Sequence, residues 1–384
     1  MKTTRRGFVK SVGLGTAAAG LLSGTSLISS PASAQTRADH KSGVYDNGVM
    51  QLNQNESARG PGPSTLQAIH EHTNKRVGMG YSPDHVNELQ QALAENYGVD
   101  AGNVLLATGS TPLLQGAVRA FCGDNGRFVT PMPTYSTSDA TARQIGAPIT
   151  HVDLDNSMGI PLDTLAEESR GSALVYLCNP NNPTGTVHGP DAIEQFVRRV
   201  LRESPDTRIH IDEAYINYTK PGAMETALPL AMEFENVFIT RSFSKAHGLA
   251  GLRIGYALGQ AQTLGAIRDA WGMGDVNMLG AIAALTALED KEHIAWEVSE
   301  NARVRDFTIG AFRDMGYAVA DSHTNHIFVE LGIPARQFRA ACLEEKILVG
   351  RDFPPMQETH CRISLGTMED MQKAVQVFRK VLSS

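Results

Sequence analysis

From about residue 100 onward, short apolar runs alternate with stretches whose apolar residues recur at helical spacing. Seven runs read as strands: Val104–Ser110, Arg127–Tyr135, Pro148–Leu154, Ala173–Asn179, Arg208–Tyr215, Val237–Ser244 and Ile254–Leu258. Helical patterns such as Pro112–Phe121 and Asp191–Glu203 lie between them. Strands that alternate with helices imply an α/β layered domain with a mostly parallel sheet. In such sheets ligands bind beyond the carboxyl ends of the strands. Ser110, Tyr135, Asn182, Asp212, Tyr215 and Ser242 all fall there. The pattern then changes. Tyr317–Val319, Ile327–Leu331, Leu348–Arg351 and Cys361–Leu365 read as short strands, and Ala335–Glu345 and Met368–Leu382 as amphipathic helices. These describe a smaller α+β domain, joined by the segment before about residue 75. A long helix near Met278–Leu288 is expected to link the two halves. The expected division is an N-terminal arm over 35–75, a large domain over 76–288 and a small domain over 289–384.

Composition narrows the function. With 384 residues, 42% hydrophobic and 20% charged, the chain is globular and long enough for sizeable cores. A formal net charge of −7, without a basic block, argues against a nucleic-acid partner. No run of about 18 strongly apolar residues suggests a stable membrane span. Cys122, Cys178, Cys342 and Cys361 form no C-x-x-C pair, so neither a disulfide scaffold nor a metal site is expected. The first 34 residues read as an address. Thr4-Arg5-Arg6-Gly7-Phe8-Val9-Lys10 resembles the twin-arginine export motif, with Val9 where Leu is usual. A weakly apolar stretch, Ser11–Ser30, and a small-residue cleavage site, Pro31-Ala32-Ser33-Ala34, follow in order. The expectation is a mature chain from Gln35, exported to the periplasm by the twin-arginine machinery. That route carries folded proteins and suits one that binds its cofactor before export.

Four local patterns carry candidate chemistry. Thr108-Gly109-Ser110-Thr111-Pro112 turns from a strand into a helix, and its exposed N–H groups and hydroxyls can cradle an anion. Asn179-Pro180-Asn181-Asn182-Pro183-Thr184-Gly185 holds more Asn and Pro than a rigid turn requires. Ile211-Asp212-Glu213-Ala214-Tyr215 ends an apolar strand on an acid, and Ser242-Phe243-Ser244-Lys245 precedes Gly251-Leu252-Arg253. Taken singly, each has an ordinary reading as a turn, a cap or a solvated strand end.

Together, Asn182-Pro-Thr-Gly, Asp212-Glu-Ala-Tyr215 and Ser242-Phe-Ser-Lys245 followed by Arg253 resemble the fold-type I aminotransferases that use pyridoxal 5′-phosphate. Leu52-Asn53-Gln54-Asn55-Glu56, Gly80-Tyr81-Ser82-Pro83 and Cys361-Arg362-Ile363-Ser364-Leu365-Gly366-Thr367 are similar to the histidinol-phosphate aminotransferase branch. The resemblance spans about residues 50 to 382. It implies that Lys245 forms the Schiff base with the cofactor and then moves the proton as base and acid. It implies that Asp212 keeps the pyridine nitrogen protonated, so the ring withdraws electrons. Tyr215 and Asn182 would bond the ring oxygen, and Tyr135 would stack on the ring. Ser110, Thr111, Ser242, Ser244 and Arg253 would hold the phosphate. Tyr81 would reach the other subunit's cofactor, which implies a homodimer. Arg362 would grip the substrate α-carboxylate.

The chain also departs from that family. The entrance motif reads Asn55-Glu56-Ser57-Ala58-Arg59-Gly60, with Arg59 where an aromatic residue is usual, and Arg351 matches a family arginine that contacts the substrate's distal phosphate. If both line the pocket, the distal substrate group is anionic. The alternative is that Arg59 faces solvent and Arg351 pairs with an acid such as Asp352. Three functions remain open at this level. The first is an aminotransferase acting between an amino acid and a 2-oxo acid. The second is a decarboxylase, racemase or lyase using the same cofactor. The third is a non-enzymatic binder, against which Lys245 and Asp212 argue, since binding alone needs neither.

Overall fold

The computed structural model describes residues 48–74 and 84–383. The export motif, the cleavage site and Tyr81 lie outside the described residues. The described residues form twelve strands: β1 Met50–Leu52, β2 Val104–Ala107, β3 Phe128–Met132, β4 Ile149–Asp153, β5 Leu174–Cys178, β6 Arg208–Asp212, β7 Val237–Ser242, β8 Gly255–Gly259, β9 Ala318–Val319, β10 His326–Glu330, β11 Ile347–Val349 and β12 His360–Ser364. A seven-stranded sheet has the order β2-β8-β7-β6-β5-β3-β4. It is parallel except at β8, which runs antiparallel to both β2 and β7. All seven runs read from the sequence are its strands. Most end earlier than their apolar runs, because the chain turns at each carboxyl end. Ser110, Tyr135, Tyr215 and Ser244 therefore sit in the turns.

Successive strand residues face opposite sides of a sheet. Val175, Leu177, Ile209, Ile211, Val237 and Ile239 accordingly join one apolar layer, and Leu174, Tyr176, Cys178 and Phe238 join the other. Helices cover both faces. Pro190–Glu203 begins with Pro and buries Ile193, Phe196, Val197 and Val200 at helical spacing. Each such side chain contributes roughly 1.5–3 kcal/mol when withdrawn from water.

A separate apolar core gathers around the antiparallel β12-β10-β9 sheet and the parallel β1-β11 pair. The helix Met368–Leu382 packs there, started by a capping box between Thr367 and Asp370. The N-terminal segment serves both cores. β1 pairs with β11, whereas Pro63–His72 packs on Met278–Glu289 beside the larger sheet.

The expected linking helix is two helices. Met278–Glu289 ends at Asp290, whose side chain caps the next helix by accepting from His293 N. Met278–Glu289 is buried in the larger core, and Lys291–Asp314 is the segment that runs on to the smaller one. The sequence reading missed this second helix because much of its inward stripe is polar: His293, Glu297, Asn301, Arg305 and Thr308 are buried, and apolar burial starts only at Val304 and continues with Ile309, Ala311 and Phe312.

Candidate active site

A cavity of about 320 Å³ opens at the carboxyl ends of the larger sheet, between it and the β12 strand. Ser110, Thr111, Tyr135, Asn182, Asp212, Tyr215, Ser242, Ser244, Lys245, Arg253, Arg351 and Arg362 all line it.

The anion-binding end is built by the turn after β2. Gly109 has φ +82°, and a Cβ there would collide with the Arg253 guanidinium. Glycine thus lets the arginine lie against the turn. Ser110 and Thr111 follow at the start of the helix Thr111–Cys122, whose Pro occupies the first turn. The Ser244 N–H donates to Ser242 Oγ at 3.0 Å, which closes the opposite wall. Hydroxyls, N–H groups at a helix start and a guanidinium form a set suited to a phosphate.

At the floor, Asp212 ends β6 with 2% of its surface exposed. Its Oδ2 accepts from the Tyr176 hydroxyl at 3.0 Å and its Oδ1 from the Thr240 hydroxyl at 3.1 Å. Burial nevertheless pushes the carboxyl up to about 6. A cationic partner opposite it would restore the ionised form. The Lys245 Nζ donates to the Asn55 carbonyl at 3.0 Å. Burial, reinforced by Arg362, lowers its pKa to about 8. Tyr215 is buried and its hydroxyl accepts from Asn55 Nδ2 at 3.0 Å and Asn182 Nδ2 at 3.4 Å.

At the other end, Arg362 of β12 donates from Nη1 to Asn182 Oδ1 at 3.0 Å and from Nη2 to the Asn53 carbonyl. Its Nε is buried without a hydrogen-bond partner. Burial lowers its pKa to about 10. Arg351 stands at the mouth, exposed, with Nη2 3.4 Å from Ser136 Oγ. Its neighbour Asp352 is paired instead with Arg339 at 3.0 Å.

Arg59 is the residue that the structure removes from the candidate pocket. It neither lines the cavity nor faces solvent. It is 7% exposed and gives a two-pronged ion pair to Glu297, with Nη2 3.0 Å from Oε1. The Tyr218 hydroxyl donates to the same oxygen at 2.9 Å. The correction has a physical cause: a guanidinium behind the loop finds a fully buried carboxylate on the polar stripe of the helix that the sequence reading missed.

The sequence reading also assigned no role to Asn55, Tyr176, Thr240, His326 or Ser364. Tyr176 carries a signal in retrospect, being a polar ring inside an otherwise apolar strand, and His326 a weaker one, a polar ring at the head of the apolar Ile327–Val329 run. Thr240 and Ser364 carry none, since a hydroxyl near a strand end is ordinary.

An amine with lowered basicity, a buried carboxylate, a hydroxyl and amide pair and three arginines at one phosphate-ready cavity define a class: an α/β enzyme that handles amino groups on a phosphorylated carbonyl cofactor. Comparison with known proteins agrees. Residues 47–378 match the model of the family described as aminotransferase class I and II. Among similar proteins is a histidinol-phosphate aminotransferase of Lactiplantibacillus plantarum, 32% identical over 86% of this chain and 91% of that one. Another, from Gluconacetobacter diazotrophicus, is 31% identical over 87% and 92%. A crystal structure of the histidinol-phosphate aminotransferase from Sinorhizobium meliloti, in complex with pyridoxal 5′-phosphate, superposes with a TM-score of 0.80 at 27% identity, covering 87% of this chain and 90% of that one. The chain belongs to the class I and II aminotransferase family, and it is a pyridoxal-phosphate-dependent aminotransferase. The donor set fits that cofactor: hydroxyls and Arg253 for a phosphate, Asp212 for a ring nitrogen, Lys245 for an aldehyde.

Proposed function

We propose that the enzyme moves an amino group between a 2-oxo acid and an amino donor that carries an anionic group, either an amino acid with an anionic side chain or a phosphate ester of the histidinol-phosphate type. The observation that supports this is the pair of arginines in one cavity: Arg362 buried beside Asn182, and Arg351 at the mouth beside an Asp352 that is itself engaged by Arg339. Pyridoxal 5′-phosphate, when bound, supplies the carbonyl that takes up the amino group and a ring that draws electrons from the substrate Cα.

The residues divide the work. Ser110, Thr111, Ser242, Ser244 and Arg253 hold the phosphate. Asp212 would be ionised opposite a protonated ring nitrogen and would keep that proton in place. Tyr215 would donate its hydroxyl proton toward the ring oxygen, with Asn182 supporting it from 3.4 Å, and Tyr135 would cover the ring. Arg362 offers its unpaired Nε–H, with further N–H groups, to the substrate α-carboxylate, fixing which Cα bond faces Lys245. A lysine with a pKa of about 8 is partly neutral near neutral pH, so its Nζ can take the Cα proton and return it. Arg351 supplies a cation for the distal substrate group.

Two wider features belong to the same proposal. The enzyme acts as a homodimer in which Tyr81 serves the other subunit's phosphate end. It is exported as a folded holoenzyme by the twin-arginine route, cleaved near Ala34, on the support of the Thr4–Lys10 motif.

The test is a half-reaction screen. Protein starting at Gln35 is loaded with cofactor and mixed with single amino acids while its visible spectrum is recorded. The expected result is loss of the visible band with one 2-oxo acid formed per site, fastest for donors with an anionic side chain. A visible band that persists while carbon dioxide or ammonia is released would replace transamination by decarboxylation or elimination.

A further inference from the structure

His326 opens β10, is fully buried and does not line the cavity. Its ring meets the Tyr215 ring edge-on, with centroids 5.2 Å apart. Its Nδ1 lies 2.9 Å from Asn55 Nδ2, and that same amide nitrogen donates to the Tyr215 hydroxyl oxygen. On the other edge of the amide, the Ser364 hydroxyl donates to Asn55 Oδ1 at 2.6 Å while accepting from Asn55 N at 2.9 Å. The amide is therefore gripped on both edges. The histidine Nε2 lies toward the Pro183 carbonyl without reaching hydrogen-bonding geometry.

The direction of the Tyr215 proton follows from this grip. With Nδ2 toward Tyr215, the phenol oxygen accepts from Asn55, and its own proton must point elsewhere, into the cavity. If the amide were reversed, Oδ1 would face the phenol and draw that proton back toward Asn55. A neutral imidazole presenting a bare Nδ1 is an acceptor and admits only the first arrangement. We propose that His326 is a positioning residue: by accepting from Asn55 it fixes the amide so that Tyr215 donates into the cofactor cavity. The ring stays neutral because it is buried and because the groups facing it, Arg362 of β12 and Lys245 after β7, are cationic.

The inference rests on the reading that Tyr215 donates to the cofactor's ring oxygen. Such a donor stabilises the anionic form of that oxygen, so it lowers the pH midpoint at which the bound cofactor's visible band titrates. The experiment compares His326→Phe, which keeps a ring and loses the acceptor, with His326→Asn, which loses the ring and keeps an oxygen at the δ position. His326→Leu is measured alongside as a second variant without an acceptor. The cofactor dissociation constant is determined for each by equilibrium dialysis. In His326→Phe and His326→Leu the midpoint rises by roughly 0.5 to 1 unit, the size of one hydrogen bond's net worth, and the cofactor binds several-fold more weakly. In His326→Asn the midpoint stays at the wild-type value. Unchanged midpoints in the acceptor-less variants, or a shift in His326→Asn equal to theirs, would assign the histidine to packing and overturn the inference. A wild type with no visible band on loading would instead overturn the underlying cofactor assignment.

Discussion

Replacing Arg59 by Ala tests the buried network most directly. Glu297 is fully buried, and both of its oxygens receive donors: Arg59 Nε and Nη2, the Tyr218 hydroxyl, and Ser57 Oγ at 3.1 Å. Burial opposes the Arg59 charge, yet the carboxylate beside it holds its pKa above the usual value. Removing the arginine leaves a carboxylate without its counter-charge in a site water cannot reach. Breaking such a pair from one side costs about 3–5 kcal/mol, a large share of the roughly 5–15 kcal/mol that holds a typical domain folded. At about 1.4 kcal/mol per factor of ten, the folding constant falls by roughly two to three and a half orders of magnitude. Urea unfolding at fixed cofactor concentration reads this directly, as a lower midpoint in Arg59→Ala with a similar slope. The double variant Arg59→Met with Glu297→Met removes both charges and should recover most of the loss, since well-packed apolar substitutes for a buried pair are often neutral. The Michaelis constant for an anionic amino donor, measured where the protein is folded, should stay near the wild-type value. A raised Michaelis constant with unchanged stability would show that Arg59 serves the substrate and that its pairing with Glu297 is energetically idle.

Three other outcomes follow from the site. Lys245→Ala should abolish turnover while leaving urea stability of the cofactor-free protein intact, because the amine that carries the Cα proton is gone; residual turnover near wild type would refute the assignment. Asp212 has a native pKa of about 6 against an ordinary value of 3.8. The folded cofactor-free protein therefore binds the extra proton between those values, and its stability falls as pH rises through that window. Asp212→Asn should flatten this slope, and an unchanged pH profile of unfolding would contradict it. Arg351→Ala should raise the Michaelis constant several-fold for donors with anionic side chains and little for neutral ones, and an equal effect on both classes would remove Arg351 from specificity.

The larger sheet was legible because strands covered on both faces leave unbroken apolar runs, and because the turns after them carry the residues that bind. Leu174–Cys178 is the plainest case, with every position buried. Lys291–Asp314 was illegible for the opposite reason. Its inward face spends its charge on Arg59 and its polar groups on backbone carbonyls: Asn301 and Arg305 both donate to the Thr324 carbonyl. The first half of such a helix has no buried apolar stripe to detect, and apolar burial begins only at Val304, Ile309 and Phe312. The cavity residues that came from sequence are those set by local motifs. His326 and Ser364, which were missed, stand behind the cavity wall and reach Asn55 across 271 and 309 residues of chain, and pairing at that distance leaves no trace in spacing.

That separation also orders events in the life of the chain. The phosphate turn, Asp212 and Lys245 belong to stretches made early and midway through synthesis, while Arg362 and Ser364 lie close to the carboxyl terminus. A chain cut before β12 keeps in its sequence the hydroxyls, Arg253 and Lys245 that line the cavity. It lacks both the guanidinium beside Asn182 and the hydroxyl that secures Asn55. β12, the last strand among the described residues, thus supplies the guanidinium and the hydroxyl that complete a site whose other residues lie far earlier in the sequence.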